Sequence, residues 1–485
     1  MSIFLGEDGL WHHVNLKSGG HTRPVNCRLL SGFTDGQSKG VFVSNSEISE
    51  FQHAVYYKNI RLKWNYGNDG VADDDVIHVK VFGIEMVYVA EGEFYVGMCP
   101  VSNDDYENNP FELTKITTPD ASEVPAICFA CPTLTCGSDS LTEYSKGGQP
   151  SIDGGYDLQS DFPNGYNAFY CSKYELTLGQ YAEFLNCLTN DQVSNRWHKY
   201  DSIVGIYDNC KQPRRYSLYI SDTDSDNDGD LDFTSDNPDL PLSFLDLDDG
   251  LAYADWSGLR PMTEMEFEKA CRGPAEPIYH EFAWGTEPIY SEHVYEVINY
   301  GLPDEVIDLA FAPNYSDSMG NATYAKNAIS TDAYVPDDNL CPGFAAGGCF
   351  NGIDNDCEDD GPLRVGVFAA SYSEPSRALA GGSYYGIMEL SGGITERIIS
   401  VEESNFDGTH GDGEINAMGE SDLATSADSV WGHDSSGVRG GRYDSDKTGV
   451  PILSSRHLVS DRKASIRALD SRLHGAGMRF VRSVQ

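Results

Sequence analysis

Short stretches of alternating apolar and polar residues open the chain. Gly40-Val-Phe-Val-Ser44 and Ile60-Arg-Leu-Lys-Trp64 repeat with period two and are bounded by Gly, Asn and Asp, which predicts β-strands. Asp73, Asp74 and Asp75 then break the pattern. The expected organisation is a small β module over residues 1–78, followed by a main domain over 79–485. Two helices are predicted in the main domain. Thr177-Leu-Gly-Gln180 has the spacing of a capping box and leads into Tyr181, Phe184, Leu185 and Leu188 at helical intervals. Thr263-Glu-Met-Glu266 is a second box, with Phe267, Ala270 and Cys271 behind it and Gly273 where a C-terminal cap belongs. Few other long helical patterns appear. Two stretches look like insertions, one near 190–240, polar and Asp-rich, and one near 286–375, rich in Asn, Asp and Gly. No fixed-period repeat is present. With 49 Gly and 28 Tyr, the expectation is a loop-rich α+β fold with short strands.

Charge narrows the function. The 485 residues carry 76 acids against 33 bases, a formal net charge of −43. That balance excludes nucleic acid, whose phosphates need a basic face, and an anionic membrane surface. No run approaches the roughly 18 apolar residues of a membrane span. The stretch from Met1 to Lys17 has neither the basic nor the apolar region of a secretory signal. Twelve Cys, several among Gly, Pro and Asp, nonetheless suit an oxidising compartment, so an extracellular or cell-surface destination is expected, as a mature or truncated form or by another export route; a chain kept inside the cell with free thiols is the alternative.

Three motifs carry chemistry. Asp222, Asp224, Asp226, Asp228, Asp230 and Asp232 alternate around Gly229, the arrangement in which a short loop wraps carboxylate oxygens round Ca²⁺. The Glu expected at the twelfth position of an EF-hand is absent. The bland alternative is a solvated acidic loop, but such charges repel strongly without a cation. Cys349-Phe-Asn351-Gly-Ile-Asp354-Asn-Asp356-Cys357-Glu-Asp359 resembles a motif of secreted bacterial proteins. There Asp354, Asp356 and Asp359 would ligate Ca²⁺, and Cys349 would bond Cys357 or Cys341. Cys128-Phe-Ala-Cys131 with Cys136 supplies three sulfurs without a nearby His, which favours disulfides or loop cysteines over zinc. His12-His13 reads as a strand surface rather than a metal site. No nucleophile elbow, phosphate loop, zinc-protease helix or dinucleotide fingerprint occurs.

Ordered stretches over most of 79–485 resemble the formylglycine-generating enzyme, or sulfatase-modifying factor, family. They are Glu85-Met-Val-Tyr-Val89 with Gly92-Glu-Phe-Tyr-Val-Gly97, Phe169-Tyr-Cys-Ser-Lys-Tyr174-Glu175-Leu-Thr177, Trp256-Ser-Gly-Leu-Arg260 through Gly273, Tyr385 through Glu396, Val438-Arg-Gly440-Gly441 and Gly477-Met-Arg479-Phe-Val-Arg482. The resemblance implies a C-type-lectin-like α+β fold. It also implies a calcium held by Glu396, although the family's Asn and Trp nearby are Gly393 and Thr395 here. The family's enzymes carry two Cys in a copper(I) site soon after the Gly pair. This chain has Arg442-Tyr443-Asp444-Ser445-Asp446 there and no Cys after Cys357. Copper(I) needs soft thiolates, so no formylglycine chemistry is expected.

The closing region is similar to the variable proteins of diversity-generating retroelements. In such proteins fixed Arg, Gly and Ser hold a scaffold, and intervening side chains contact a target. On that resemblance Arg439, Arg456, Asp461, Arg462 and Arg479 are scaffold, while Tyr443, Asp444, His457, Lys463, Arg467 and His474 face a ligand. The expected function is a non-catalytic extracellular ligand- or receptor-binding protein on a calcium-stabilised scaffold. Its partner would be a protein or glycan on a cell or particle surface, or another copy of the chain. A structural subunit of a filament, tail fibre or surface assembly is the alternative, and an oxidase a remote one.

Overall fold

A computed structural model describes residues 2–6, 9–30, 39–45, 56–97, 113–124, 141–145, 149–156, 158–197, 220–225, 231–278, 280–289, 297–299, 302–309, 320–322, 362–401, 406–423, 436–442, 457–462 and 475–484. The first strand, Ser2–Leu5, lies between Trp11–His13 and Val79–Val81 in an antiparallel sheet. The N-terminal sheet therefore takes its third strand from just beyond residue 78. Cys27–Leu30 and Phe42–Asn45 form a separate hairpin, where the alternation at 40–44 predicts a strand. The second expected strand, 60–64, is not one. Arg61 and Trp64 make only single bridges, to Thr22 and Leu16, and Leu62 and Trp64 pack on Phe4, Val14 and Leu16. Its alternation serves burial without a continuous ladder.

The main domain is organised by two sheets. Four antiparallel strands run in the order Arg260–Pro261, Phe480–Ser483, Phe169–Ser172, Met86–Val89. Strands near the two ends of the domain thus flank one central strand. The other sheet places Thr395–Ile399 between Ser436–Arg439, antiparallel, and Ala476–Met478, parallel. Both predicted capping boxes form. Thr177 and Gln180 cap Leu178–Leu185, and Thr263 and Glu266 cap Glu264–Arg272. Gly273 ends the second helix at φ +64°, a conformation that an L side chain resists.

The helix Leu247–Ser257 has no amphipathic stripe for a sequence reading to find. Nine of its eleven residues are buried, Asp249 and Asp255 among them, and a helix enclosed on all sides shows no polar face. The segment near 190–240 contributes the helix Asn190–Arg196 and the hairpin Ser221–Thr223/Asp232–Thr234. Among the described residues no helix is long and apolar enough to cross a membrane.

Candidate functional site

Helix Glu264–Arg272 is buried along its whole length, although six of its nine residues are ionisable side chains or Cys. Such a helix is stable only if its charges are paired. Glu264 accepts from Arg462 Nε and Nη2 at 3.2 and 3.0 Å, from Arg439 Nη1 at 3.3 Å and from the Val401 amide at 2.9 Å. Glu268 accepts from Arg439 Nη2 at 3.0 Å, Arg272 Nη1 at 3.3 Å and the Gly97 amide at 2.7 Å. Arg272 also pairs with Glu281. Three acids and three guanidinium groups thus form one buried lattice. Burial alone would raise the Glu264 carboxyl, but Arg462 and Arg439 outweigh it and hold it below the ordinary range.

This lattice fixes the closing region of the chain. Arg439 ends a strand and is followed by Gly440 at φ +87° and Gly441 at φ +69°. A Cβ on Gly441 would lie 2.7 Å from the His457 ring, so only glycine admits the approach. His457 Nε2 lies 3.1 Å from the Arg442 carbonyl. Gly475 comes close enough to Arg442 that a Cβ would sit 2.6 Å from its Cδ, and its amide donates to Ser243 Oγ at 2.7 Å. Three of the four described residues that flank 443–456 and 463–474, namely Arg442, His457 and Gly475, therefore meet beside Gly441, while the fourth, Arg462, is held by Glu264.

The structure corrects one residue of the expected face. His457 is fully buried, held under the Gly441 turn, so it supports the region and displays nothing. Tyr443, Asp444, Lys463, Arg467 and His474 lie outside the described residues, as does Arg456. Arg439, Asp461, Arg462 and Arg479 are buried, the position of scaffold.

Glu396, expected at a calcium, is fully buried against Arg479, whose Nε lies 3.0 Å from both carboxylate oxygens and whose Nη2 lies 2.8 Å from Oε1. A guanidinium, not an open coordination shell, thus faces this carboxylate. Arg479 also donates to the carbonyls of Ser172, Lys173 and Met388. Two further acids adjoin it. Glu175 accepts from the Ile394 amide at 3.0 Å and Glu389 from the Gly366 amide at 2.9 Å. Burial, aided by the Glu396 charge, raises Glu175 well above the usual range, and burial pushes Glu389 up to about 7. Gly393, at φ +79°, leaves no room for a side chain, since a Cβ would stand 2.9 Å from Glu175 Oε1. Glu175 and Glu389 escape a sequence reading, though both lie inside the stretches that carry the resemblance.

The Asp-rich motif spans a hairpin. Asp222 accepts from Trp197 Nε1 at 3.2 Å, and Asp232 from the Ser225 amide at 3.0 Å. The Ser225 hydroxyl and amide hold the Asp232 carboxyl below its usual range. Asp224 is described as well. Asp226, Asp228 and Asp230 lie outside the described residues, and so do Asp354, Asp356 and Asp359. Among the described residues no three His, Cys, Asp or Glu are arranged to hold a metal. Cys27, Cys171, Cys187 and Cys271 are buried free thiols. Burial pushes Cys171 and Cys187 up to about 12, which keeps their thiols protonated and unreactive. The other eight Cys, including Cys341, Cys349 and Cys357, are outside the described residues.

A family model described as a sulfatase-modifying factor enzyme 1-like domain matches residues 147–312, so the chain carries a domain of that kind there. Two solved structures are similar over longer stretches. PvdO from Pseudomonas aeruginosa is 14% identical, with 82% of this chain and 94% of that chain covered at a TM-score of 0.32. CarF is 12% identical, with 84% and 100% covered at a TM-score of 0.30. No curated protein matches the sequence.

Proposed function

We propose that this chain is a non-catalytic, extracellular ligand- or receptor-binding protein. A C-type-lectin-like scaffold, tied by calcium at the Asp222–Asp232 hairpin, displays the segments 443–456 and 463–474 to a protein or glycan on a cell or particle surface. One observation carries the reading. Arg442, His457 and Gly475, three of the four residues flanking the two segments, converge beside Gly441, and the fourth, Arg462, joins Arg439 on Glu264. Such a base lets side chains between the anchors vary without loss of the core, because the anchors depend on buried ion pairs and glycine turns. The absence of any Cys after Cys357 supports a binding role over an oxidase, since copper(I) chemistry needs thiolates.

The test has two arms. Tyr443→Ala, Arg467→Ala and His474→Ala together should abolish binding to a printed array of glycans and extracellular protein domains, with melting temperature unchanged. A few aromatic and basic anchors dominate most interfaces, so intact binding by the triple variant would place the face elsewhere. In the second arm the chain meets a sulfatase-type Cys peptide with copper and oxygen. No aldehyde should form, and turnover that depends on this protein would overturn the assignment.

A further inference from the structure

The N-terminal strands meet the main domain across a half-buried histidine, His13. His13 ends the strand Trp11–His13, and its ring lies 6.0 Å from that of Trp256 on helix Leu247–Ser257. It stands on a strand, as its sequence suggests, but faces inward. From the other side comes the turn 411–414. A Cβ on Gly413 would lie 3.3 Å from His13 Cδ2 and 3.0 Å from Lys39 Cδ. Both ring nitrogens are shut off from solvent.

Among the described residues no carboxylate is paired with the ring. Lys39 is directed to Glu414 at 2.6 Å. His12 precedes it on the strand. Asp255, on the helix, accepts from the amides of Asp412 and Asp422 at 3.1 and 3.0 Å and from Ser421 Oγ at 2.9 Å. Burial first, and the Lys39 charge second, lower His13 to about 3, against a small opposing effect of the Trp256 backbone. Asp255 responds in the opposite sense. Burial, with the nearby Asp422 charge, raises it to about 6 in spite of its three hydrogen bonds.

We infer that the N-terminal strands are an acid-sensitive cap: they stay docked on Trp256 and the 411–414 turn while His13 is neutral and loosen when it takes a proton, whereas Asp255 keeps the turn itself clamped. For His13 the bound value lies below the free one, so docking is complete above pH 6.5 and weakens as pH falls from there toward 3. At pH 5 the two values shift the docking equilibrium by about thirtyfold toward the open form. For Asp255 the folded value lies above the free one, so acidification from 6 toward 3.8 favours the clamped turn, by about tenfold at pH 5. General acid unfolding would loosen both sides together.

Hydrogen–deuterium exchange on the full chain at pH 7.5 and 5.0, corrected for intrinsic exchange, separates these cases. The amides of Ser2–Leu5 and Trp11–His13 should open about thirtyfold more at pH 5.0, while those of 411–423 should open no more than at pH 7.5. His13→Phe keeps a ring against Trp256 but takes no proton. It should remove the shift in the strands and leave the behaviour of 411–423 unchanged. Strands that open equally at both pH values in the native chain, or a shift that persists in His13→Phe, would overturn the inference. If His13→Phe does not fold, an NMR titration of His13 in the native chain decides. A ring still neutral at pH 5 in the docked form is expected, and a midpoint near 6.5 with the strands docked overturns it.

Discussion

Arg479 and Arg439 both sit fully buried on carboxylates, yet their removal should differ in cost. Arg479 gives three contacts to Glu396 and three to backbone carbonyls. In Arg479→Met, Glu396 keeps no cation among the described residues and three carbonyls lose their donor. Stranding one partner of a buried pair costs about 3–5 kcal/mol, and each buried acceptor left bare adds up to a further ~1–3 kcal/mol. The loss should therefore reach at least about 5 kcal/mol, a large share of the ~5–15 kcal/mol that holds a domain folded. Arg439→Met is milder. Glu264 retains Arg462 and the Val401 amide, and Glu268 retains Arg272 and the Gly97 amide. One buried acceptor, the Val459 carbonyl, loses its donor, so the loss should lie near the lower bound plus that one group, about 4 kcal/mol.

Adding Glu396→Gln to Arg479→Met removes the stranded charge and should recover part of the stability. The pH response follows from linkage. Burial already raises Glu396 against the pull of Arg479, and without Arg479 it rises further. A folded value above the unfolded one adds stability as pH falls toward 4.5, so the deficit of Arg479→Met should shrink from pH 8 to pH 5. Urea unfolding followed by Trp fluorescence measures each difference. The reasoning fails if Arg479→Met costs less than Arg439→Met, or if the Glu396→Gln double variant is less stable than Arg479→Met alone.

Calcium at 100 times its dissociation constant should stabilise the chain by about 2.7 kcal/mol through the Asp222–Asp232 hairpin, and equal melting temperatures with calcium and with chelator would refute a site there. Alkylation without reductant should leave Cys27, Cys171, Cys187 and Cys271 unreacted until denaturant is added. After denaturation fewer than the full 12 thiols should react, since at least one bridge is expected among Cys341, Cys349 and Cys357; twelve alkylated cysteines would rule that bridge out. Gly441→Ala puts a Cβ at φ +69° and 2.7 Å from the His457 ring, which should cost about 2 kcal/mol or more and be visible as a lower melting temperature.

The capping boxes at Thr177 and Thr263 are legible in the sequence because each is complete within four residues. The charge of −43 and the lack of Cys after Cys357 are likewise properties of the chain itself. They argue against a nucleic-acid partner and leave no thiolate pair after Gly441. The helix Leu247–Ser257 is not legible, because its burial on every side erases the periodicity that marks a surface helix. The Glu264 lattice is out of reach for a different reason. Its partners Arg439 and Arg462 lie 175 and 198 residues away, and no local pattern says which acid a distant Arg will meet. His457 shows the consequence. The resemblance to variable proteins places it on the ligand face, yet the Gly441 turn folds over it and buries it. Short-range spacing determines which helices start, and composition sets which side chains are available for chemistry. Whether a charged or polar side chain is displayed or enclosed is decided by tertiary contacts, because burial of such a group is stable only when a partner from elsewhere in the chain arrives to satisfy it.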